Sequence, residues 1–388
     1  MTASYPPVLG GLQTATHTLA RFLAQQHEVR VIAQQYPRSL PATELLDDVP
    51  VQRMLFLRPE LGYLSRGRLD LAIASLYFYP STLIRLARLV RTFRPDVVNV
   101  HFPDSQIPFV LWLRRRFGFR LVVSLHGNEI ERWFKAETGL PAQQPAAINR
   151  EQEPGIRQLR ALLQQADTVT ACSYYLLDKA ARLEPSVASK ARVIYNGIEP
   201  GRFRDTTPYR HPRPYILAVG RLTYKKGFDM LLEAFRACAS PCDEVDLILA
   251  GEGEERPALQ KQIQRLGLEA RVHLIGRVSP EELVKLLNGC LFVAVPSREE
   301  PFGIVALEAL VAGRPILATR VGGLVEFVSG PGTWLVDPGV SAIQQGLIHL
   351  LEQAPIQVES LSDRAVDRFS WRRSIAQFER AYCGEATE

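Results

Sequence analysis

Only five of the 388 residues are cysteine (Cys172, Cys238, Cys242, Cys290 and Cys383). They are scattered and odd in number, which excludes the disulfide framework of a small secreted protein and places the chain in a reducing cytoplasm. Cys238 and Cys242 stand in C-x3-C spacing with no histidine nearby, so they read as helix-end packing rather than zinc ligands. No basic segment followed by an apolar one opens the sequence, so no secretion signal is expected. The longest apolar stretch, residues 69–84, is interrupted by Asp70 and Pro80. It falls short of the about 20 residues that a membrane helix needs. No Ser–His–Asp arrangement, no Asp-x-Asp pair after a strand and no group of metal ligands stands out, so neither a metal nor another cofactor is expected. No basic segment interleaves with aromatics in a recognisable module, which argues against nucleic acid as a partner.

What the sequence does have is length and apolar content enough for two cores. Hydrophobic residues make up 46% and charged residues 22% of a chain roughly twice the size of a usual domain. The net charge of +5 is uneven: residues 1–205 carry 26 Lys and Arg against 18 Asp and Glu, while residues 206–388 carry 20 against 23. Arg85, Arg88, Arg91 and Arg94, with Arg114, Arg115 and Arg116, supply much of the excess. Helix C-termini and solvated faces account for such a set, and so does contact with an anionic surface.

Short β-branched runs alternate with amphipathic helices from end to end, the pattern of parallel sheets covered on both faces. Strands are predicted at 29–33, 97–101, 121–125, 168–172 and 193–195, then at 215–219, 246–250, 272–275, 291–295, 316–319 and 334–336. Helices are predicted at 12–24 and 82–93. Residues 199–214, rich in Pro and Arg and without periodicity, read as a linker between two doubly wound domains. Only residues 2–5 stand where a buried strand of about five or six residues normally precedes a glycine loop such as Gly10-Gly11. That strand is expected to be stunted or to begin upstream.

Three groups of residues point to chemistry. In Ser297-Arg-Glu-Glu-Pro-Phe-Gly-Ile-Val-Ala-Leu-Glu308, Pro301 keeps Glu300 extended at a strand end, and the helix starts near Phe302–Gly303. Free amides at that start make an anion site, and Glu308 follows roughly 8 Å along the axis. Two carboxylates around a phosphate-binding terminus suit a nucleoside diphosphate sugar. In Gly220-Arg-Leu-Thr-Tyr-Lys-Lys-Gly227, Arg221 and Lys226 would clamp the diphosphate from the next strand end. Gly251-Glu-Gly253 is a further tight strand-to-helix turn, although Arg256 stands where a dinucleotide fingerprint needs its third glycine. In the first half, His101 and His126 each end a predicted strand.

Together these residues resemble the retaining glycosyltransferases of family 4, the group 1 transferases. The resemblance runs from Tyr5-Pro-Pro-Val-Leu-Gly-Gly11 through His126-Gly127, Val193-Ile-Tyr-Asn-Gly-Ile198, Gly220-Arg221, Lys226-Gly227 and Gly251-Glu-Gly253. It continues with Glu300, Glu308 and Thr319-Arg-Val-Gly-Gly323, and ends at Phe369-Ser-Trp371. It implies an α/β fold of the GT-B type, two doubly wound Rossmann-like domains facing across a deep interdomain cleft. Residues 1–205 would bind acceptor, residues 206–369 the nucleotide sugar, and residues 370–388 would form a helix crossing back. Arg221 and Lys226 would stabilise the leaving diphosphate, Glu300 would meet the donor sugar and Glu308 the ribose. The amides of Phe302, Gly303 and Ile304 would meet phosphates and sugar hydroxyls, Gly220 and Gly251 would line the donor, and Val278 would border the base. Gly10, Gly11, His101 and His126 would contribute the acceptor side, with Gly11 and His126 also approaching the donor sugar. The implied reaction moves a hexose from a UDP- or GDP-linked donor to a saccharide or lipid-linked acceptor, with retention and without a metal. Polysaccharide or glycolipid biosynthesis at the inner face of an anionic membrane is the implied setting. A nucleotide-sugar epimerase and a transferase-like binding subunit are the alternative readings.

Overall fold

The computed structural model describes residues 1–7, 11–57, 67–134, 154–203, 206–238, 243–353, 366 and 368–385, without the side chains of 11, 12 and 132–134. The chain divides into two compact units, Met1–Tyr195 with Ser374–Glu388, and Asn196–Arg373.

The first unit is built on the strands β1 (Val31–Gln34), β2 (Thr43–Leu46), β3 (Val49–Met54), β4 (Val97–His101), β5 (Arg120–Leu125), β6 (Thr168–Ala171) and β7 (Ala191–Val193). They form two runs, β2-β3-β1 and β4-β5-β6-β7, parallel except for the β2–β3 hairpin. Thr2 joins the runs by bridging to Ala33 on one side and His101 on the other. Its N–H donates to Ile32 O at 2.9 Å, its carbonyl accepts from Gln34 N at 3.1 Å, and Met1 O accepts from His101 N at 2.8 Å. The first strand is thus reduced to one doubly paired residue. Helix α1 (Gly11–Leu23) follows and buries Ala15, Leu19, Ala20 and Leu23. The hairpin β2–β3 has no counterpart in the sequence reading.

Pro80, expected to interrupt the chain locally, lies inside a single helix, α2 (Leu69–Phe93). The hydroxyls of Ser75 and Ser81, on either side of the proline, donate to the Ala72 and Phe78 carbonyls at 2.7 and 3.0 Å; the acceptor that the proline itself leaves without a helical donor is the Leu76 carbonyl, four residues back. No helix among the described residues is long and apolar enough to cross a membrane. The unit is completed by α3 (Ile107–Arg114), α4 (Asn128–Phe134), α5 (Pro154–Gln165) and α6 (Tyr174–Leu183).

The second unit holds one six-stranded, all-parallel sheet. Its strands are β8 (Tyr215–Val219), β9 (Asp246–Ala250), β10 (Val272–Gly276), β11 (Val293–Val295), β12 (Ile316–Thr319) and β13 (Thr333–Val336), in the order β10-β9-β8-β11-β12-β13. Burial on both faces is why these strands read as unbroken apolar runs: every residue of β9 is buried. The covering helices are α7 (Phe228–Ala237), α8 (Arg256–Arg265), α9 (Pro280–Gly289), α10 (Ile304–Val311) and α11 (Val340–Gln353). Cys238, at the C-cap of α7, is buried and disulfide-bonded rather than simply packed, which corrects the sequence reading; Cys242 lies outside the described residues.

The boundary predicted at residue 205 falls instead between Tyr195 and Asn196. Residues beyond it already pack on the second unit: Ile198 N donates to Phe369 O at 2.8 Å, and the buried Phe203 offers its carbonyl to Asn288 Nδ2 at 3.3 Å. The predicted linker is also fastened there, with Tyr209 N donating to Lys285 O at 2.9 Å. Helix α12 (Trp371–Cys383) starts in the second unit, where a Cβ on Gly197 would lie 2.7 Å from Trp371 Cα. From Ser374 onward it belongs to the first unit, with Tyr382 Oη accepting from Asn99 Nδ2 at 2.9 Å.

Helix α9 opens with a complete capping box, Ser279 Oγ accepting from Glu282 N at 3.2 Å and Glu282 Oε2 from Ser279 N at 2.7 Å. Ser279→Ala is expected to cost about 1 kcal/mol. The measurement is the urea midpoint of the transition followed by Trp334 fluorescence, which should fall; an unchanged midpoint would show that the box contributes nothing.

Candidate functional site

The order of strands in the second sheet fixes where a ligand can sit. The connections reverse direction between β8 and β11, so the loops leaving their carboxyl ends diverge and open a crevice. Both motif loops of this unit leave there, residues 220–227 after β8 and 296–303 after β11.

The loops are tied together by backbone contacts and by ion pairs. Arg298 N and Glu299 N donate to Lys225 O at 2.7 and 3.3 Å. Arg298 grips Asp229 through two hydrogen bonds of 2.7 and 2.6 Å, donates to Tyr224 O at 2.8 Å and lies 4.0 Å over the Tyr224 ring. Lys225 Nζ and Glu299 Oε2 are 3.0 Å apart. At Gly227, with φ +66°, a Cβ would lie 2.1 Å from Pro296 O, so only glycine lets the loops meet. Gly322, φ +54°, stands in the same relation to Glu300 O at 1.9 Å, and Gly323 N donates to that oxygen at 2.9 Å. Gly220 presents its carbonyl to Gly251, joining the β9 loop to the group.

In this frame Lys226 Nζ lies 2.5 Å from Glu300 Oε2, which also accepts from Ser297 Oγ at 3.1 Å. The Glu300 side chain is 8% exposed and that of Lys226 25%, so the ammonium is the member of the pair that faces solvent. Arg221 is exposed and forms no ion pair among the described residues. Gly303, in the left-handed region at φ 97°, begins α10, and no side chain caps it. The first-turn amides are therefore available to an anion. The Phe302 ring is 2% exposed and packs 5.0 Å from Phe327, which leaves its backbone for any ligand contact. Glu308 is the fifth residue of α10; burial pushes its carboxyl up to about 7, with Arg202 offsetting part of the rise. Val278, half-buried, follows β10 on the same sheet edge.

In the first unit, His101 ends β4, His126 directly follows β5, and the two are bonded to each other, Nδ1 to Nε2, at 3.0 Å. Phe102 stacks on His126 at 4.4 Å. Burial lowers the His126 pKa to about 4, and burial with the neighbouring His126 lowers that of His101 well below its usual value. Both rings are neutral at pH 7. His126 Nδ1 is buried with no hydrogen-bond partner, the kind of orphan group that points to a ligand. Gly11 is the first residue of α1, and Gly10 lies outside the described residues.

Comparison with known proteins decides the family. The Glycosyltransferase Family 4 profile matches residues 9–202, and that of Glycosyl transferases group 1 matches residues 202–367. The chain belongs to the group 1, family 4 glycosyltransferases. An uncharacterized glycosyltransferase of Methanocaldococcus jannaschii is 28% identical over 96% of this chain and 94% of its own. Glycogen synthase of Mycobacterium tuberculosis is 28% identical over 84% of this chain and 78% of its own. Among solved structures, sucrose-phosphate synthase of Thermosynechococcus elongatus aligns with a TM-score of 0.76 at 20% identity, over 98% of this chain and 94% of that one. Anabaena HepE in complex with UDP-glucose aligns at 0.73 and 19%, over 98% of each. At these identities the likeness is one of fold, and the glycosyltransferase has the GT-B fold.

Sequence reasoning missed three features of this transferase. Ser297, three residues before Glu300, holds its carboxylate. Glu129, three residues after His126, accepts from the backbone amides of His126 and Gly127. Both carry a local signal, a polar residue one turn from a named one. His211, Asp246 and His273 also converge, which corrects the reading that no group of metal-ligand type stands together. Their separation along the chain hides them.

The raised Glu308 pKa has a signed consequence. Between its usual value near 4.5 and about 7, the folded protein holds a proton that the unfolded chain has lost, so this group makes stability fall as pH rises through that window. Glu308→Gln is expected to remove the fall, giving a higher Tm than wild type at pH 8 and a smaller difference at pH 4.5. Parallel Tm–pH curves for the two proteins would contradict the assignment.

Proposed function

We propose that this glycosyltransferase moves a hexose from a UDP- or GDP-linked donor to a saccharide or lipid-linked acceptor with retention of anomeric configuration. We further propose that the chemical step uses no metal ion. The observation that carries the reading is the Lys226–Glu300 pair, 2.5 Å apart, set beside the uncapped start of α10. Breaking the bond between the anomeric carbon and the diphosphate builds negative charge on the leaving oxygen and positive charge on the sugar. Lys226 and the first-turn amides of α10 are held in place to receive the former, with the exposed Arg221 on the same loop free to add to them, and preorganised donors of this kind supply much of an enzyme's advantage over water. Glu300 and Ser297 fix the ammonium at that position and leave carboxylate oxygen for sugar hydroxyls. Glu308, further along α10, would meet the ribose hydroxyls, and Val278 would border the base. With retention, the acceptor attacks from the face the leaving group departs, and the diphosphate oxygen takes the acceptor proton.

Several solved relatives by fold support the nucleotide reading. HepE structures hold UDP, UDP with glucose, or UDP-glucose, and the catalytic domain of Arabidopsis starch synthase IV holds ADP and acarbose. In the first unit, the unpartnered His126 Nδ1 supports its assignment to sugar or acceptor. Lys226→Ala is expected to lower transfer by about 100-fold or more while circular dichroism shows the fold retained, with some fall in Tm because Glu300 loses its partner. A wild-type rate would overturn the donor-site assignment. A thermal-shift panel of UDP, GDP and ADP with their sugars identifies the base, and NMR of the product anomer tests retention.

A lipid-linked acceptor would bring the first unit to a membrane, and α2 supports this. Its exposed Leu69, Ile73, Leu76, Tyr77 and Ile84 follow helical spacing, and Arg85, Arg88, Arg91 and Arg94 are exposed beside them. An apolar stripe bordered by cations is the composition of a helix lying in a lipid interface. Vesicles containing anionic lipid should bind the protein, with release in salt and weaker binding by Ile73→Asp. Equal binding to neutral vesicles would remove the idea.

A further inference from the structure

The convergence of His211, Asp246 and His273 lies outside the donor site. His211 belongs to the segment fastened onto the second unit, Asp246 opens β9, and His273 is the second residue of β10. His211 Nε2 and His273 Nε2 lie 2.8 and 3.1 Å from the same oxygen, Asp246 Oδ2, and the three ligand-type atoms all fall within 4.8 Å of one another. Asp246 is 3% exposed, and its second oxygen, Oδ1, is buried without a hydrogen bond; Arg213 Nε stands 3.6 Å from it. The His211 and His273 side chains are 13% and 33% exposed, which leaves an approach from solvent.

We propose that these three residues form a binding site for a divalent transition-metal ion of the zinc class. Two imidazole nitrogens and one carboxylate oxygen are the donor set such ions favour, whereas magnesium and calcium prefer oxygen alone. Metal–ligand bonds of about 2.0–2.2 Å put tetrahedral ligands about 3.3–3.5 Å apart, close to the two separations already present. Coordination through Nε2 leaves each neutral imidazole with its proton on Nδ1, so the two Nε2–H donors that now converge on one oxygen are replaced by a single cation. A water completes the fourth position on the exposed side. Arg213 would hold the carboxylate through Oδ1, the outer contact that orients a ligating group. The site is at the amino end of β9, whereas the donor loops leave the carboxyl ends of the strands, roughly 15 Å away along the sheet. The ion therefore clamps the segment containing His211 to β9 and β10 and takes no part in sugar transfer.

The test is titration of the chelator-treated full chain with Co2+ and Zn2+. One equivalent of Co2+ should give the visible absorption of a tetrahedral site, and Zn2+ should raise the Tm. His273→Gln, which can still donate to Asp246, should keep the fold by circular dichroism and lose both signals, as should His211→Ala. Absence of both signals in the wild type, their persistence in His273→Gln, or an equal Tm rise with Mg2+ would each overturn the proposal.

Discussion

A carboxylate taken out of water must be given back its partners, and the arrangement around Glu300 follows from that requirement. Leaving Glu300 buried and unpaired would cost several kcal/mol. Lys226 from one loop and Ser297 from its own supply the contacts, and a second carboxylate–lysine pair, Glu299 with Lys225, lies alongside. The bidentate Arg298–Asp229 contact adds a third pair that ties the loop after β11 to helix α7. Each pair needs the loops after β8 and β11 within reach of one another, and Gly227 makes this approach sterically allowed. The same contacts that relieve the buried charge therefore fix the ammonium beside the open start of α10. Stability of the loops and readiness for an anion have one cause.

That cause depends on topology. The order β10-β9-β8-β11-β12-β13 places β8 and β11 side by side at the reversal point, so residues 74 apart in the chain, Lys226 and Glu300, leave neighbouring strands on the same edge. The first unit uses the same principle with less material. Thr2 alone separates β1 from β4, yet its two bridges align their carboxyl ends, and β5 next to β4 brings His126 against His101. A strand of one paired residue suffices because its neighbours on both sides already supply buried apolar faces, among them Ala33 and Val100.

How much of this could be read in the sequence varied with burial. Strands buried on both faces, such as β8, β9 and β12, appear as unbroken apolar runs and were bounded to the residue. The hairpin β2–β3 was not, because Glu44, Gln52 and Arg53 dilute its alternation and its turn is Asp47-Asp48, both at positive φ. Pro80 reads as a break but sits inside α2, a 25-residue helix in which it removes one backbone donor. Composition marks residues 199–214 as irregular, although Pro200–Phe203 form a 3-10 helix; that the described part of the segment is fastened to the second unit depends on partners such as Lys285 and Asp246, which no local pattern announces. For the candidate site, Glu300, Lys226 and Glu308 stood out because charge in an apolar or strand-end setting is costly and so informative. Direct pairing of Lys226 with Glu300 was not legible, because it depends on which two loops the sheet order makes adjacent.

Glu308 shows why a costly residue is worth keeping in an otherwise apolar helix. Within α10 its neighbours Leu307 and Ala309 are buried, and burial pushes the Glu308 carboxyl up to about 7. Hydroxyl groups that donate to the carboxylate favour its ionised form, so a ribose placed there would restore the hydrogen bonds that burial removed. The group is therefore poorly solvated alone and well solvated by a sugar. In the proposed donor site that difference would favour the nucleoside over a bare diphosphate, which the start of α10 and Lys226 would hold equally well in either case. On the proposed reading, phosphate and nucleoside would be recognised from the start and the middle of one eight-residue helix, the first by backbone amides and the second by a single side chain.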